Sequence, residues 1–439
     1  MRNGGMTTMS KAQYLRPAWF LLFLIVSLFF LWGVANNLND ILIKQFKKAF
    51  ELSDFQAGLV QSAFYFGYFT FAIPAGMFMR RFGYRGAIAL GLILYATGAF
   101  LFYPAAEGHS YALFLLALYV IASGLAFLET AANPLVTVLG PPDGAARRLN
   151  LAKAFNPLGS ITGVLVGQHF ILSGIEHSPA QLAAMTAAER ATFYATESAA
   201  VQTPYLVIGA IVVLWALMIL ITRFPSVADA DDAGNARDAH KGSAHLAGLL
   251  RNRYFMMAVV AQFFYVGAQI GIWSYLIRYA QGTIPGTPEK LAANFLTASL
   301  VIFMLGRFAG AALMRYVKPC RLLAMFALIN IILCAVAVAL PGKTGLYALV
   351  VSSFFMSVMF PTIFALGLDG LSDDRRKLGS SLLVMSIIGG AIITALMGAT
   401  SDAHDIHWAM AVPLVSFIIV LRFALRSGAA ARSLAGIRI

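Results

Sequence analysis

The chain has 439 residues, 60% of them hydrophobic and 12% charged, with a net charge of +13 and a mean hydropathy of +0.78. A soluble globular domain carries about a quarter of its residues charged. This composition excludes one and fits a polytopic membrane protein, built from apolar runs near the ~20 residues that cross a bilayer as a helix. The basic balance does not mark a nucleic-acid partner, because the Lys and Arg residues sit in short loops between apolar runs.

Twelve spanning helices are predicted, at about 17–44, 54–79, 85–105, 109–139, 149–174, 204–223, 253–280, 289–314, 321–341, 344–369, 377–400 and 407–425. Residues 17–39 hold no charged side chain and are followed by no small-residue cleavage site, so they form a retained span and not a secretory leader. Towards the end of this span Asn36 and Asn37 precede Asp40 by four and three residues, which puts a carboxylate and two carboxamides on one helix face. Water and Lys44 are the alternative partners for that acid.

The fourth span carries the acid with the least company, in "FLETAANP". An ionisable side chain within a span costs about 2.5–3.5 kcal/mol on insertion scales, which makes each one a functional candidate. Glu129 shares its face with Asn133, four residues on, and Pro134 then frees backbone carbonyls, which a membrane helix tolerates only where neighbours or a cavity satisfy them. A desolvated carboxyl that loses its proton when water or a cation reaches it is a proton carrier. The same residue is alternatively a fixed partner for a buried cation. Lys153, near the inner end of the fifth span with Asn156 one turn later, either snorkels to the interface or points inward to Glu129. Arg307, in "FMLGRFAG", reads as a structural cation beside a glycine-rich helix contact.

Between the sixth and seventh spans lies a polar break, residues 224–252, which divides the chain into 1–223 and 253–439, six spans each. Weak internal similarity supports two duplicated halves: "MRRFGYR" parallels "MRYVKPCR" and "DGAARRLN" parallels "SDDRRKLG", at offsets of about 230 residues. On the seventh span Tyr265, Gln269 and Trp273 recur every four residues, with Gln262 a turn earlier. Rings beside carboxamides suit a sugar, which offers hydroxyls and an apolar face; interfacial or packing aromatics are the alternative. In the tenth span Phe360, Pro361 and Thr362 mark a helix break at cavity depth. Cys320 and Cys334 are too few for a disulfide framework and read as small apolar fillers.

Positively charged residues favour the cytoplasmic side. Placing both termini there assigns 23 of the 32 basic residues to the tails and inner loops and 7 to outer loops, which fixes the expected orientation. No loop supports catalysis. The longest outer segment, about 175–203, holds His177 alone, and His404 with His407 reads as solvated, so neither an enzyme nor a metal site is expected.

The motifs "LFFLWGVANNLNDILIKQF", "GLVQSAFYFGYF", "FLETAANPLVTVLGP", "RLNLAKAFNPLGS", "YVGAQIGIWSYLIRYA" and "PTIFALG" resemble the bacterial fucose permeases, the L-fucose:proton symporter family of the major facilitator superfamily, across nearly all twelve spans. The resemblance implies two six-helix bundles rocking about a central cavity, with Asp40 and Glu129 handling the proton. It places Asn37, Asn156, Trp273 and Phe303 near the sugar, to which the residue reading adds Gln269, Lys153 and Phe360. The sequence departs from the family pattern at two of these, with Lys153 in place of glutamine and Phe360 in place of tyrosine. A new cation and a lost hydroxyl bear on sugar choice. The expectation is therefore a monomeric symporter of the bacterial inner membrane, importing L-fucose with protons and needing no cofactor beyond the proton gradient. Galactose, glucose or an amino sugar are the alternative cargoes, and a receptor that binds sugar without flux is the alternative from another class.

Overall fold

The computed structural model describes residues 18–50, 54–171, 181, 184–222 and 242–436. Within these stretches the side chains of a minority, Asn36, Asn37 and Asp40 among them, lie outside the described residues, as do His177, residue 223 and residues 224–241 of the expected linker. All regular structure among the described residues is helical.

The first half comprises α1 (Ala18–Ala49), α2 (Asp54–Glu107), α3 (Tyr111–Val138), α4 (Ala145–Lys153), α5 (Asn156–Val166), α6 (Ala187–Ala199) and α7 (Gln202–Ile221). A short helix, α8 (Gly242–Arg251), occupies the end of the expected linker. The second half comprises α9 (Arg253–Thr283), α10 (Glu289–Leu313), α11 (Pro319–Ala339), α12 (Lys343–Met356), α13 (Met359–Leu368), α14 (Asp373–Met385), α15 (Gly389–Ala403) and α16 (Ala411–Gly436).

Among the described residues nine helical stretches are long and apolar enough to cross a bilayer, and some of these join two elements. The second and third expected spans are one run, α2, bent at Gly83, whose φ of 69° lies in the left-handed region that only glycine enters without cost. The fifth, tenth and eleventh spans are each interrupted: α4 gives way to α5 at residues 154–155, α12 to α13 at 357–358, and α14 to α15 through a 3-10 turn, Ser386–Ile388. Such interruptions expose backbone groups that survive in a membrane only against protein or a cavity.

Large apolar side chains form the core, and close helix approach depends on glycine. On α1, Gly33 faces the backbone carbonyl of Asn156, while Gly159 and Gly163 of α5 face the carbonyls of Phe30 and Val34. Small residues at such spacing let two membrane helices pack backbone to backbone. A methyl group at Gly159 meets a carbonyl oxygen that cannot rotate away. Gly159→Ala is expected to lower the stability of the purified protein by about 1–3 kcal/mol, the range for overpacked cores. Gly428→Ala, where the added carbon meets only Cys320 Sγ at 3.8 Å, is expected to change it by about 0.5 kcal/mol or less. Equal melting temperatures for the two variants would refute this account of the α1–α5 contact.

The outer segment is anchored as well. Thr186 and Glu189 form a reciprocal capping box at the start of α6. At the far end of that helix Glu197 accepts a hydrogen bond from Gln45 Nε2 of α1 at 2.8 Å. Both cysteines are free and buried, Cys334 completely, as fillers of α11 and its N-terminus.

The two repeated motifs fall where the halves meet. Helix α4 packs against α10 and α13 of the second half, and α14 packs against α2 and α3 of the first. At this basic end Tyr84 OH donates to Asp373 Oδ1 at 3.1 Å and Arg80 pairs with Asp374 at 3.6 Å. Closer to mid-depth Asn150 Nδ2 donates to Thr362 Oγ1 at 3.1 Å, and Ser380 donates to the carbonyl of Thr130. These hydrogen bonds and ion pairs between the halves lie at the basic end or at the level of Glu129.

Candidate functional site

Glu129 sits two-thirds of the way along α3 and is 1% exposed. Its Oε1 accepts from Lys153 Nζ at 2.9 Å and from Asn133 Nδ2 at 3.3 Å. Asn133 reaches it because the two are one helical turn apart. Lys153 reaches it because α4 ends there, at the break before α5, so the side chain turns into the seam rather than out to the interface. Of the two courses open to Lys153, the inward one is taken. Glu129 Oε2 is buried and has no hydrogen-bond partner among the described residues.

Lys153 is 6% exposed and its ammonium lies in an aromatic enclosure. It stands 3.6 Å from the ring centre of Phe360, 4.9 Å from that of Trp32 and 5.8 Å from that of Phe29. A desolvated cation over ring faces gains about 2 kcal/mol. Phe360 belongs to α13, in the other half, so the two positions that the sequence reading singled out as departures touch each other across the seam.

A second cation extends the cluster. Arg307 of α10 donates from Nη1 to the carbonyl of Lys153 at 2.7 Å and from Nε to the carbonyl of Ser357 at 3.0 Å. It therefore holds two helix breaks at once, one in each half. Its guanidinium stacks on Phe303 at 4.6 Å, and Phe303 meets Trp273 edge to face at 4.9 Å. Trp273 Nε1 donates to Ser353 Oγ at 3.1 Å. Asn156 opens α5 and donates from Nδ2 to the carbonyl of Phe29 at 3.1 Å. Gln269 is half-buried on the same helix as Trp273.

Tyr265 is placed differently from the sequence reading. It is fully buried and donates its hydroxyl to the carbonyl of Met356, which props the interruption between α12 and α13. It does not share an open face with Gln269 and Trp273. Asn37 and Asp40 fall on α1, and their side chains lie outside the described residues. Asn150 is a residue the sequence reading missed: it is fully buried and bridges to Thr362 of the other half. Its signal was its place in the repeated "DGAARRLN" motif.

A buried acid and two buried cations at the seam of a broken-helix bundle match the build of a secondary transporter. Residues 18–393 match the family described as Major Facilitator Superfamily. The chain belongs to the major facilitator superfamily. Within it, the resemblance to fucose permeases holds along the chain: it is 50% identical over 405 residues, 91% of each chain, to the L-fucose-proton symporter of Escherichia coli (strain K12). The glucose/galactose transporter of Brucella abortus biovar 1 (strain 9-941) is 38% identical over 399 residues, covering 91% of this chain and 92% of its own. The crystal structure of a major facilitator superfamily transporter, FucP, in the outward conformation superposes with a TM-score of 0.86 and 49% identity, over 94% of this chain and 99% of that one. The proton:xylose symporter XylE, at 13% identity and a TM-score of 0.67 over 95% of this chain and 96% of that one, shares the fold alone.

The superfamily fold accounts for what α4 and α14 have in common. They begin the fifth and eleventh spans, one in each half, and each wedges into the opposite half at the basic end.

Proposed function

We propose that the chain is a proton-coupled importer of L-fucose, working by alternating access between the halves 1–223 and 253–439, joined by the linker 224–252. The observation that carries this reading is Glu129, a carboxyl shut off from solvent at the seam and held there by the ammonium of Lys153 and the amide of Asn133. A group so placed changes its proton when the seam opens, so proton movement and the rocking of the halves are tied together. The fucose-proton symporter of E. coli supports the choice of cargo.

Glu129 is the main proton carrier in this reading, and Asp40 is a second acid on the route from outside. Asn37, Asn156, Gln269, Trp273, Phe303, Phe360 and Lys153 surround the sugar, the rings against its apolar face and the polar groups towards its hydroxyls. The basic end is cytoplasmic, with both termini, in a bacterial inner membrane; the excess of Lys and Arg in those loops supports it. The seam is then closed towards the cytoplasm, which is the outward-facing arrangement. The transporter acts as a monomer, with the sugar, protons and lipid as its partners. No metal, cofactor or catalytic step is called for.

A related cargo is favoured by one observation. The Brucella relative is named a glucose/galactose transporter, and Phe360, whose ring lies beneath the Lys153 ammonium, brings no hydroxyl to the seam. Counterflow with L-fucose, D-galactose, D-glucose and N-acetylglucosamine in proteoliposomes separates these: exchange with L-fucose alone is expected, and exchange with the others but not L-fucose would replace it as the cargo. Binding without flux of any of them would make the protein a receptor.

A further inference from the structure

We propose that Lys153 links proton loading to sugar loading: its ammonium holds Glu129 when the transporter is empty, and passes to the sugar's hydroxyls when a proton takes its place. This rests on Glu129 being the proton carrier.

Three features of the geometry carry it. First, the ammonium occupies Oε1 of Glu129 at 2.9 Å, while Oε2 has no hydrogen-bond partner among the described residues. A proton can therefore enter at Oε2 before the ion pair parts. Second, Lys153 is not stranded once the acid is neutral. The faces of Phe360 and Trp32 at 3.6 and 4.9 Å retain a cation with no second carboxylate. Third, the backbone of Lys153 is pinned by Arg307, whose guanidinium stacks on Phe303 and through it on Trp273. From that fixed backbone, rotation of the side chain carries the ammonium from the proton site towards the rings expected to hold sugar, of which Phe360 already lies beneath it.

The step involves no bond exchange beyond the proton. In the empty protein, carboxylate and ammonium sum to zero. One proton from outside converts the carboxylate to the acid, Lys153 stays an ammonium, and the pair carries one positive charge inward with the sugar. Release of the proton into the cytoplasm restores the ion pair, which draws the ammonium off the sugar and lowers its hold. Linkage makes this reciprocal: the factor by which a proton strengthens sugar binding is the factor by which sugar strengthens proton binding. The other charged or titratable groups facing the pair are Arg307 of α10, Tyr68 of α2 and, against Arg307, Tyr265 of α9. Asp40 of α1 has its side chain outside the described residues.

The test is L-fucose affinity of the purified full chain between pH 6 and pH 8, read by calorimetry. Native protein is expected to lose affinity by at least about fivefold over that range, the lower end of typical coupling. Lys153→Gln, which has no ammonium to pass to the sugar, is expected to bind with an affinity flat to about twofold, set near the native high-pH value. Lys153→Arg, which keeps a cation at the same place, is expected to retain the native slope. Glu129→Gln is expected to be flat. A native slope in Lys153→Gln beside a flat Glu129→Gln overturns the proposal and leaves Glu129 as carrier. A native slope in Glu129→Gln overturns both. Loss of binding at every pH in Lys153→Gln also overturns it, since Lys153 would then be a plain sugar ligand.

Discussion

Glu129→Gln is expected to abolish accumulation of sugar against a gradient while leaving sugar exchange within a few-fold of native. A driving force of about 100 mV is worth about 2.3 kcal/mol per proton, which supports roughly 40-fold accumulation at about 1.4 kcal/mol per tenfold. With no proton on the glutamine to move, the internal-to-external sugar ratio of energised cells is expected to fall to about one. Exchange requires only that the loaded protein reopen on either side. A glutamine at position 129 resembles the protonated acid in shape and charge, so the loaded form persists. Accumulation that survives in this variant would remove Glu129 from the proton path.

The second large effect concerns stability. Glu129 and Lys153 are 1% and 6% exposed and joined at 2.9 Å. Removing one member of a buried ion pair costs about 3–5 kcal/mol, because the other charge is left without its partner, whereas replacing both is often close to neutral. Glu129→Gln is therefore expected to destabilise the detergent-purified protein by about that amount, less whatever the faces of Phe360 and Trp32 return. Lys153→Gln is expected to cost less, since the carboxyl left behind can take up a proton and become neutral. The double variant is expected to be more stable than Glu129→Gln alone. The pair touches directly, so non-additivity is the signature. If thermal or denaturant unfolding gives the double variant the sum of the two single losses, the ion pair contributes nothing as a pair.

Much of the fold was legible because spans are a matter of length and polarity. Most of the apolar runs predict the helices to within a few residues, as with the expected 289–314 against Glu289–Leu313, while the last, expected to end at 425, continues to Gly436. The interruptions were legible only in part. Pro361 drew attention to the tenth span, yet the break falls at residues 357–358, before the proline, where the carbonyl of Ser357 accepts from Arg307 and that of Met356 from Tyr265. The 3-10 turn at Ser386–Ile388 has no proline inside it, and its only local mark is the Gly389–Gly390 pair that follows.

The site divides the same way. Asn133 beside Glu129 follows from one turn of helix, and the structure places it so. The contact of Lys153 with Glu129 spans 24 residues of sequence and that with Phe360 spans two halves, so neither is visible to periodicity. Arg307, read as a structural cation beside a glycine-rich contact, does lie next to one, with Gly306 against Phe354 and Gly310 against Val358. Its reach across to the carbonyl of Lys153 depends on tertiary placement alone. Tyr265 went astray for a related reason: a central helix of 31 residues has several buried sides, and a stripe at every fourth residue does not say which neighbour each member meets.

The central claim is that sugar and proton move together, and external pH reports it most directly. L-fucose is added to lightly buffered, de-energised cells expressing the chain, with a pH electrode outside. Alkalinisation of the medium is the predicted result, absent in cells expressing Glu129→Gln. Uptake of labelled L-fucose with no change in external pH would contradict the claim and make the protein a facilitator.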